Sequence, residues 1–141
     1  ESIVRAGRVD YVAMDVKAPP GCYEQIAGHR VSAETIGRSI DLLRDSGIDY
    51  EFRTTVAPPL GMSEIVTIAW RIRGAKRYVL QQYRPQPGAP AFAETAHSPE
   101  YLRELADMVR AHVHRCELRG LADETGSASK PAAGASVAAA G

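Results

Sequence analysis

Three short segments, residues 10–19, 50–58 and 77–85, alternate apolar and polar side chains and then run into proline. Each is followed by a pattern of helical period, and this repetition restricts the fold more than any other feature. Side chains alternate across a strand, so Tyr11, Ala13, Asp15 and Lys17 share one face while Val12, Met14 and Val16 share the other. The second segment places Glu51, Arg53 and Thr55 together, and the third ends in Gln81 and Gln82. Charged side chains at the C-terminal end of a buried strand are costly without a purpose, and in α/β proteins that end is where ligands bind. Three such ends suggest one shared site.

The segments between the strands read as helices. Ser32 is a suitable N-cap, Val31 and Ile36 sit at staple positions, and Ile36, Ile40 and Leu43 recur at helical spacing before Gly47. A second helix starts near Ser63, with Ile65, Ile68, Ala69 and Ile72 on its apolar face and Gly74 as its stop. A third opens at Ser98-Pro99, lined inside by Leu102, Leu105, Val109 and Val113. The strands are expected over about residues 9–17, 48–56 and 76–82, with a short fourth from Arg115 to Leu118 and a long loop over 83–97. Strand and helix in strict alternation predict an α/β fold with a parallel sheet and right-handed crossovers. Residues 1–8 resemble the end of a helix, and the opening Glu1 suggests a chain cut from something longer. From Leu121 onward the chain is nearly all Ala, Gly and Ser, a composition that buries too little apolar surface to offset its ordering entropy. Residues 121–141 are therefore expected to be a disordered tail, with at most a transient helix over 136–140.

Composition narrows the chemistry. The 141 residues carry 17 basic and 17 acidic side chains, which gives no footprint for nucleic acid or a membrane surface. No apolar run approaches the roughly 20 residues of a membrane span. The expected location is the cytoplasm. Cys22 and Cys116 are far apart and match no metal spacing, and the four histidines show none either. No nucleophile–base pair can be nominated. Lys17 and Arg53, beside Asp15 and Glu51, have the charges to grip a carboxylate or phosphate, or else form an ion-pair network that holds the strands in register. Gln81 and Gln82 point to opposite faces, so only one can reach a shared site; either is a ligand contact or a satisfied strand-end amide.

The motifs DYVAMDVKAP, YEFRTTVAP and GAKRYVLQQYRP, in this order and spacing, resemble the C-terminal half of radical S-adenosylmethionine activating enzymes. The likeness is strongest to the anaerobic ribonucleoside-triphosphate reductase activating proteins, relatives of pyruvate formate-lyase activating enzyme. It covers about residues 1–120, including Gly28, Asp45-Ser46-Gly47 and Glu117-Leu118-Arg119-Gly120. The resemblance implies the C-terminal portion of a partial (β/α)6, TIM-like barrel, with parallel strands and outer helices. It implies S-adenosylmethionine and a [4Fe–4S] cluster as cofactors, an electron donor, and a glycyl-radical enzyme as partner. On this resemblance Asp15 and Lys17 contact the amino-acid end of S-adenosylmethionine, with Lys17 on the carboxylate. Arg53 faces cofactor or substrate peptide, and the Gln81-Gln82-Tyr83 segment, with Gln81 as the cofactor contact, matches the strand end near the adenosyl group. The family's C-x3-C-x2-C loop and its glycine-rich stretch are absent, and two distant cysteines cannot supply three thiolates. The implied function is generation of a glycyl radical on the reductase by a 5′-deoxyadenosyl radical, with this chain inactive by itself. The alternatives are a non-catalytic α/β module that binds an anion or peptide, and another radical S-adenosylmethionine subfamily.

Overall fold

The computed structural model describes residue 4, residues 6–85 and 95–121, and the backbone of 135–138. Its strands are β1 (Tyr11–Asp15), β2 (Asp49–Val56), β3 (Tyr78–Gln82), β4 (Cys116–Arg119) and β5 (Ala135–Ala138). Its helices are α1 (Tyr23–Ala27), α2 (Ala33–Asp45), α3 (Met62–Arg71) and α4 (Pro99–Val109). A 3-10 turn over Pro20–Cys22 leads into α1, and neither of these two was anticipated from the sequence.

The helix signals act where the sequence places them. Ser32 Oγ accepts from the Thr35 amide, and Ser98 Oγ accepts from the Tyr101 amide with Pro99 in the first turn. At α3, Gly61 has no side chain to cap with, so Glu64 reaches back and accepts from the Gly61 amide at 2.9 Å. Gly47 and Gly74 follow α2 and α3 at φ 73° and 78°, a conformation that strains any residue with a Cβ.

All strand pairs are parallel, in the order β4-β3-β2-β1-β5. Strands β1 to β4 therefore add in chain order, each step crossing by way of a helix. Right-handed crossovers taken in one direction put α2, α3 and α4 on one face of the sheet. There Val12, Met14, Val16, Tyr50, Phe52, Val56, Tyr78 and Leu80 join Ile40, Ile65, Ile68, Leu102 and Leu105 in a single core. Successive units wound this way are consistent with part of a TIM-like wall. The sheet is open, with β4 and β5 as its edges.

A hydroxyl chain crosses the core side of three strands. Tyr78 Oη donates to Thr54 Oγ1 at 2.8 Å, and Thr54 Oγ1 donates to the Val16 carbonyl at 2.7 Å. Tyr78 and Thr54 are buried, so each polar atom needs this partner. Burial pushes the Tyr78 phenol well above its ordinary pKa, keeping it a hydrogen-bond donor.

Trp70 is 54% exposed, beside His112 and Arg73. It stands on the outer side of α3, out of phase with Ile65, Ile68 and Ala69. Residues 135–138 form β5 rather than part of a helix. Apart from Leu121 and β5, the expected disordered tail lies outside the described residues. So do residues 86–94 of the long loop and residues 1–3 and 5 of the expected N-terminal helix end, of which Val4 is helical.

Candidate functional site

The sheet face opposite the helices is polar, because strand alternation turns every second residue there. Register sets the rows. Asp15 lies beside Arg53, Arg53 beside Val79, and Val79 beside Glu117. One step toward the strand C-termini, Thr55 lies beside Gln81 and Gln81 beside Arg119. Alternation continues β1 through Val16, whose amide donates to the Arg53 carbonyl at 2.8 Å, and so brings Lys17 to the Asp15 side.

The charges divide into two groups. At the strand ends, Arg53 Nε donates to Asp15 Oδ1 at 2.8 Å, with both side chains less than one-third exposed. Lys17 is half-buried, and among the described residues no carboxylate comes within ion-pair distance of its ammonium. Its own amide lies 3.5 Å from the Tyr23 hydroxyl, and the preceding carbonyl is held by Thr54, so the backbone that presents Lys17 is fixed on both sides. Thr55 Oγ1 meets Gln81 Oε1 at 3.5 Å. Gln82 points the other way and donates to the His97 carbonyl at 2.9 Å. The structure thus brings Asp15, Lys17, Arg53 and Gln81 to one face and leaves Gln82 off it.

Deeper on the same face lies an ion-pair network around Glu51, whose partners sequence reasoning missed. Glu51 is 1% exposed, and Arg119 donates to both its oxygens, at 2.6 and 2.8 Å. Arg77 adds a contact at 3.6 Å, and the Tyr11 phenol lies near enough to act on the carboxylate. Glu117 in turn meets Arg77, Arg115 and Arg119 at 2.8–3.5 Å. The Arg119–Glu51 bridge runs from β4 to β2 across β3 at the level of Val79, which explains why Val79 is buried on a face without helices. Burial pushes the Glu51 carboxyl up in pKa. The Arg119 hydrogen bonds, the neighbouring Tyr11 phenol and the fields of Arg119 and Arg53 more than offset this, and the group stays below its ordinary value. Burial and the neighbouring Glu51 push the Tyr11 phenol up to about 12. The alternation Arg115-Cys116-Glu117-Leu118-Arg119 was the available signal for this network: three charged residues on one strand face opposite Glu51 and Arg53.

The arrangement is equipped to bind and orient an anion. Lys17 supplies a cation that meets no carboxylate among the described residues, Arg53 a cation paired with Asp15, and Thr55 and Gln81 neutral polar groups. An iron–sulfur cluster does not fit these residues. Cys22 precedes α1, after β1, whereas Cys116 lies on β4, and strands that far apart in the sheet are separated by roughly 14 Å. Burial also pushes the Cys116 thiol up to about 11, away from the thiolate that metal requires. Among the described residues no group of His, Cys, Asp and Glu could hold a metal ion. A cavity of about 350 Å³ lies on the helix side, lined by Val16, Pro19, Tyr23, Ile36, Ile40 and Trp70. It is apolar and lies on the far side of the sheet from the charged face. No described helix is long and apolar enough to cross a membrane.

No family model matches the chain, and no solved structure matches it significantly. Among curated proteins it is similar to a "Putative glycyl-radical enzyme activating enzyme" of Methanocaldococcus jannaschii, at 26% identity over 126 residues. The match covers 84% of this chain and 52% of the relative, so the chain spans about half the length of the protein it matches. That likeness supports, at the level of the superfamily, the radical S-adenosylmethionine resemblance carried by the strand motifs.

Proposed function

We propose that this chain is the C-terminal part of a radical S-adenosylmethionine activating enzyme, and that its share of the work is to hold the amino-acid end of S-adenosylmethionine. The observation that carries the reading is Lys17: a half-buried cation at the C-terminal end of a parallel strand, with no carboxylate in ion-pair reach among the described residues, next to the Asp15–Arg53 pair. A compact ammonium is suited to one oxygen of the ligand carboxylate. Asp15 offers an acceptor for the ligand ammonium, while Arg53 keeps Asp15 oriented. Thr55 and Gln81, in the next row, reach toward the remainder of the ligand.

Held by Lys17 and Asp15, S-adenosylmethionine would supply the radical chemistry that an enzyme of this kind directs at a glycine of a partner protein. The iron–sulfur group that such chemistry needs requires thiolates other than Cys22 and Cys116, so no step on it is assigned to these residues. The partner we infer is a glycyl-radical enzyme of the anaerobic ribonucleoside-triphosphate reductase type, served by an electron donor. The likeness to a glycyl-radical enzyme activating enzyme supports the glycyl-radical part of this reading, and the strand motifs support the reductase.

Calorimetric titration of S-adenosylmethionine into the chain and into Lys17→Ala tests the proposal. Loss of one charge-assisted contact is expected to weaken binding at least about tenfold. Equal affinity for the two proteins, or no binding by the parent, would remove Lys17 from the role. The lack of a thiolate set favours one other reading, a non-catalytic module that holds a simple anion on the same residues. Inorganic phosphate binding as tightly as S-adenosylmethionine would decide for that module.

A further inference from the structure

The outer edge of β1 carries a second arrangement, independent of the functional reading above. In a parallel ladder the amide and carbonyl of one residue point to the same side, and the side alternates along the strand. The Val16 amide bonds Arg53 on β2, so Val12 and Met14 also turn toward β2. Ala13 and Asp15 therefore turn their backbone groups away from β2, toward the other edge. Ala13 is 6% exposed, and a strand edge with buried side chains and unpaired amides is both costly and prone to pair with other chains. Ala135–Ala138 lies along that edge, with Ala13 opposite Ser136 and Asp15 opposite Ala138.

We infer that residues 135–138 are an exchangeable edge strand, a segment of this chain that caps β1 and holds the strand end carrying Asp15 and Lys17. The segment lies in cis within easy reach. β4 and β5 occupy opposite edges of the sheet, roughly 19 Å apart, and a chain the length of residues 122–134 spans roughly 45 Å. Of Ala-Ser-Val-Ala only Val137 is a strong strand former. Four residues of ladder are a small gain to set against chain entropy, and they give a cap that lifts without unfolding the sheet.

Native-state hydrogen exchange on the intact chain, followed amide by amide, tests this. In the parent, Ala13 and Asp15 are expected to exchange at least about tenfold more slowly than an unstructured peptide and at least about tenfold faster than Met14 and Val16. Val137→Pro removes a backbone donor from the ladder and should return Ala13 and Asp15 to nearly unprotected rates while Met14 and Val16 keep theirs. Unprotected Ala13 and Asp15 in the parent would mean that the tail does not cap the edge. Exchange in step with Met14 would mean that it lifts only when the whole sheet unfolds. Either result overturns the inference, as would an unaltered pattern in Val137→Pro or loss of protection at Met14 and Val16 in that variant. Protection of Ala13 and Asp15 that grows with protein concentration would assign the strand to a second copy and overturn the cis arrangement.

Discussion

The residue that most shapes the polar face is Glu51, a carboxylate out of reach of water that meets two arginines and a tyrosine. Removing one partner of a buried pair leaves the other uncompensated. Arg119 and Arg77 are partly exposed and can return to solvent, so the penalty falls below that of a fully buried pair. Glu51→Gln is expected to cost about 1–3 kcal/mol, measured by urea unfolding at neutral pH. The sign with pH follows from the lowered pKa. Stability due to Glu51 is fully present above the ordinary glutamate value of about 4.3 and is lost as pH falls through the lowered folded value. The acid limb of the stability curve should therefore flatten in Glu51→Gln, and an unchanged limb would assign the acid sensitivity elsewhere. Glu51 was legible in the sequence as a charged strand residue, but its partners were not. They come from positions 11, 77 and 119, and only strand register tells which of them meet.

At the scale of elements, helix ends were legible and helix-to-helix fit was not. Ser32, Ser98-Pro99, Gly47 and Gly74 act locally, within one turn, so a linear reading finds them. Gly37 is different. It lies inside α2, where glycine is unfavourable, yet a Cβ there would come within 2.7 Å of the Arg71 guanidinium from α3. The missing side chain lets Arg71 lie across α2 and donate to both Asp41 oxygens at 3.2 Å. Arg71, first through its hydrogen bonds and then through its charge, holds the Asp41 carboxyl below its usual pKa. In Gly37→Ala the gain in helix propensity and the loss of an exposed ion pair are of similar size, so stability should change by less than about 1 kcal/mol. The Asp41 pKa, followed by NMR titration, should rise toward the ordinary aspartate value. The hydroxyl chain behaves otherwise because it is buried. Thr54→Val strands both Tyr78 Oη and the Val16 carbonyl and should cost about 2–3 kcal/mol in denaturant unfolding. Adding Tyr78→Phe to that variant should restore part of the loss, whereas strictly additive costs would show that the two groups are not coupled.

For the whole molecule, Cys22 lies in the turn after β1 and Cys116 on β4, so anaerobic incubation with ferrous iron and sulfide should leave the chain without the visible absorption of a bound cluster. A stable cluster of full occupancy would show that thiolates can assemble here. The sequence by itself determined the α/β alternation, the caps, the apolar helix faces and the polar strand face, because each depends on neighbours within a turn or along a strand. It also determined that three cluster thiolates cannot come from this chain. Tertiary structure decided the rest: which strand lies beside which, that Arg53 pairs with Asp15 while Lys17 meets no carboxylate among the described residues, that Arg119 reaches Glu51, and that Ala135–Ala138 pairs with β1. These contacts join residues far apart in the chain, and their energies depend on register and burial, which local sequence does not encode.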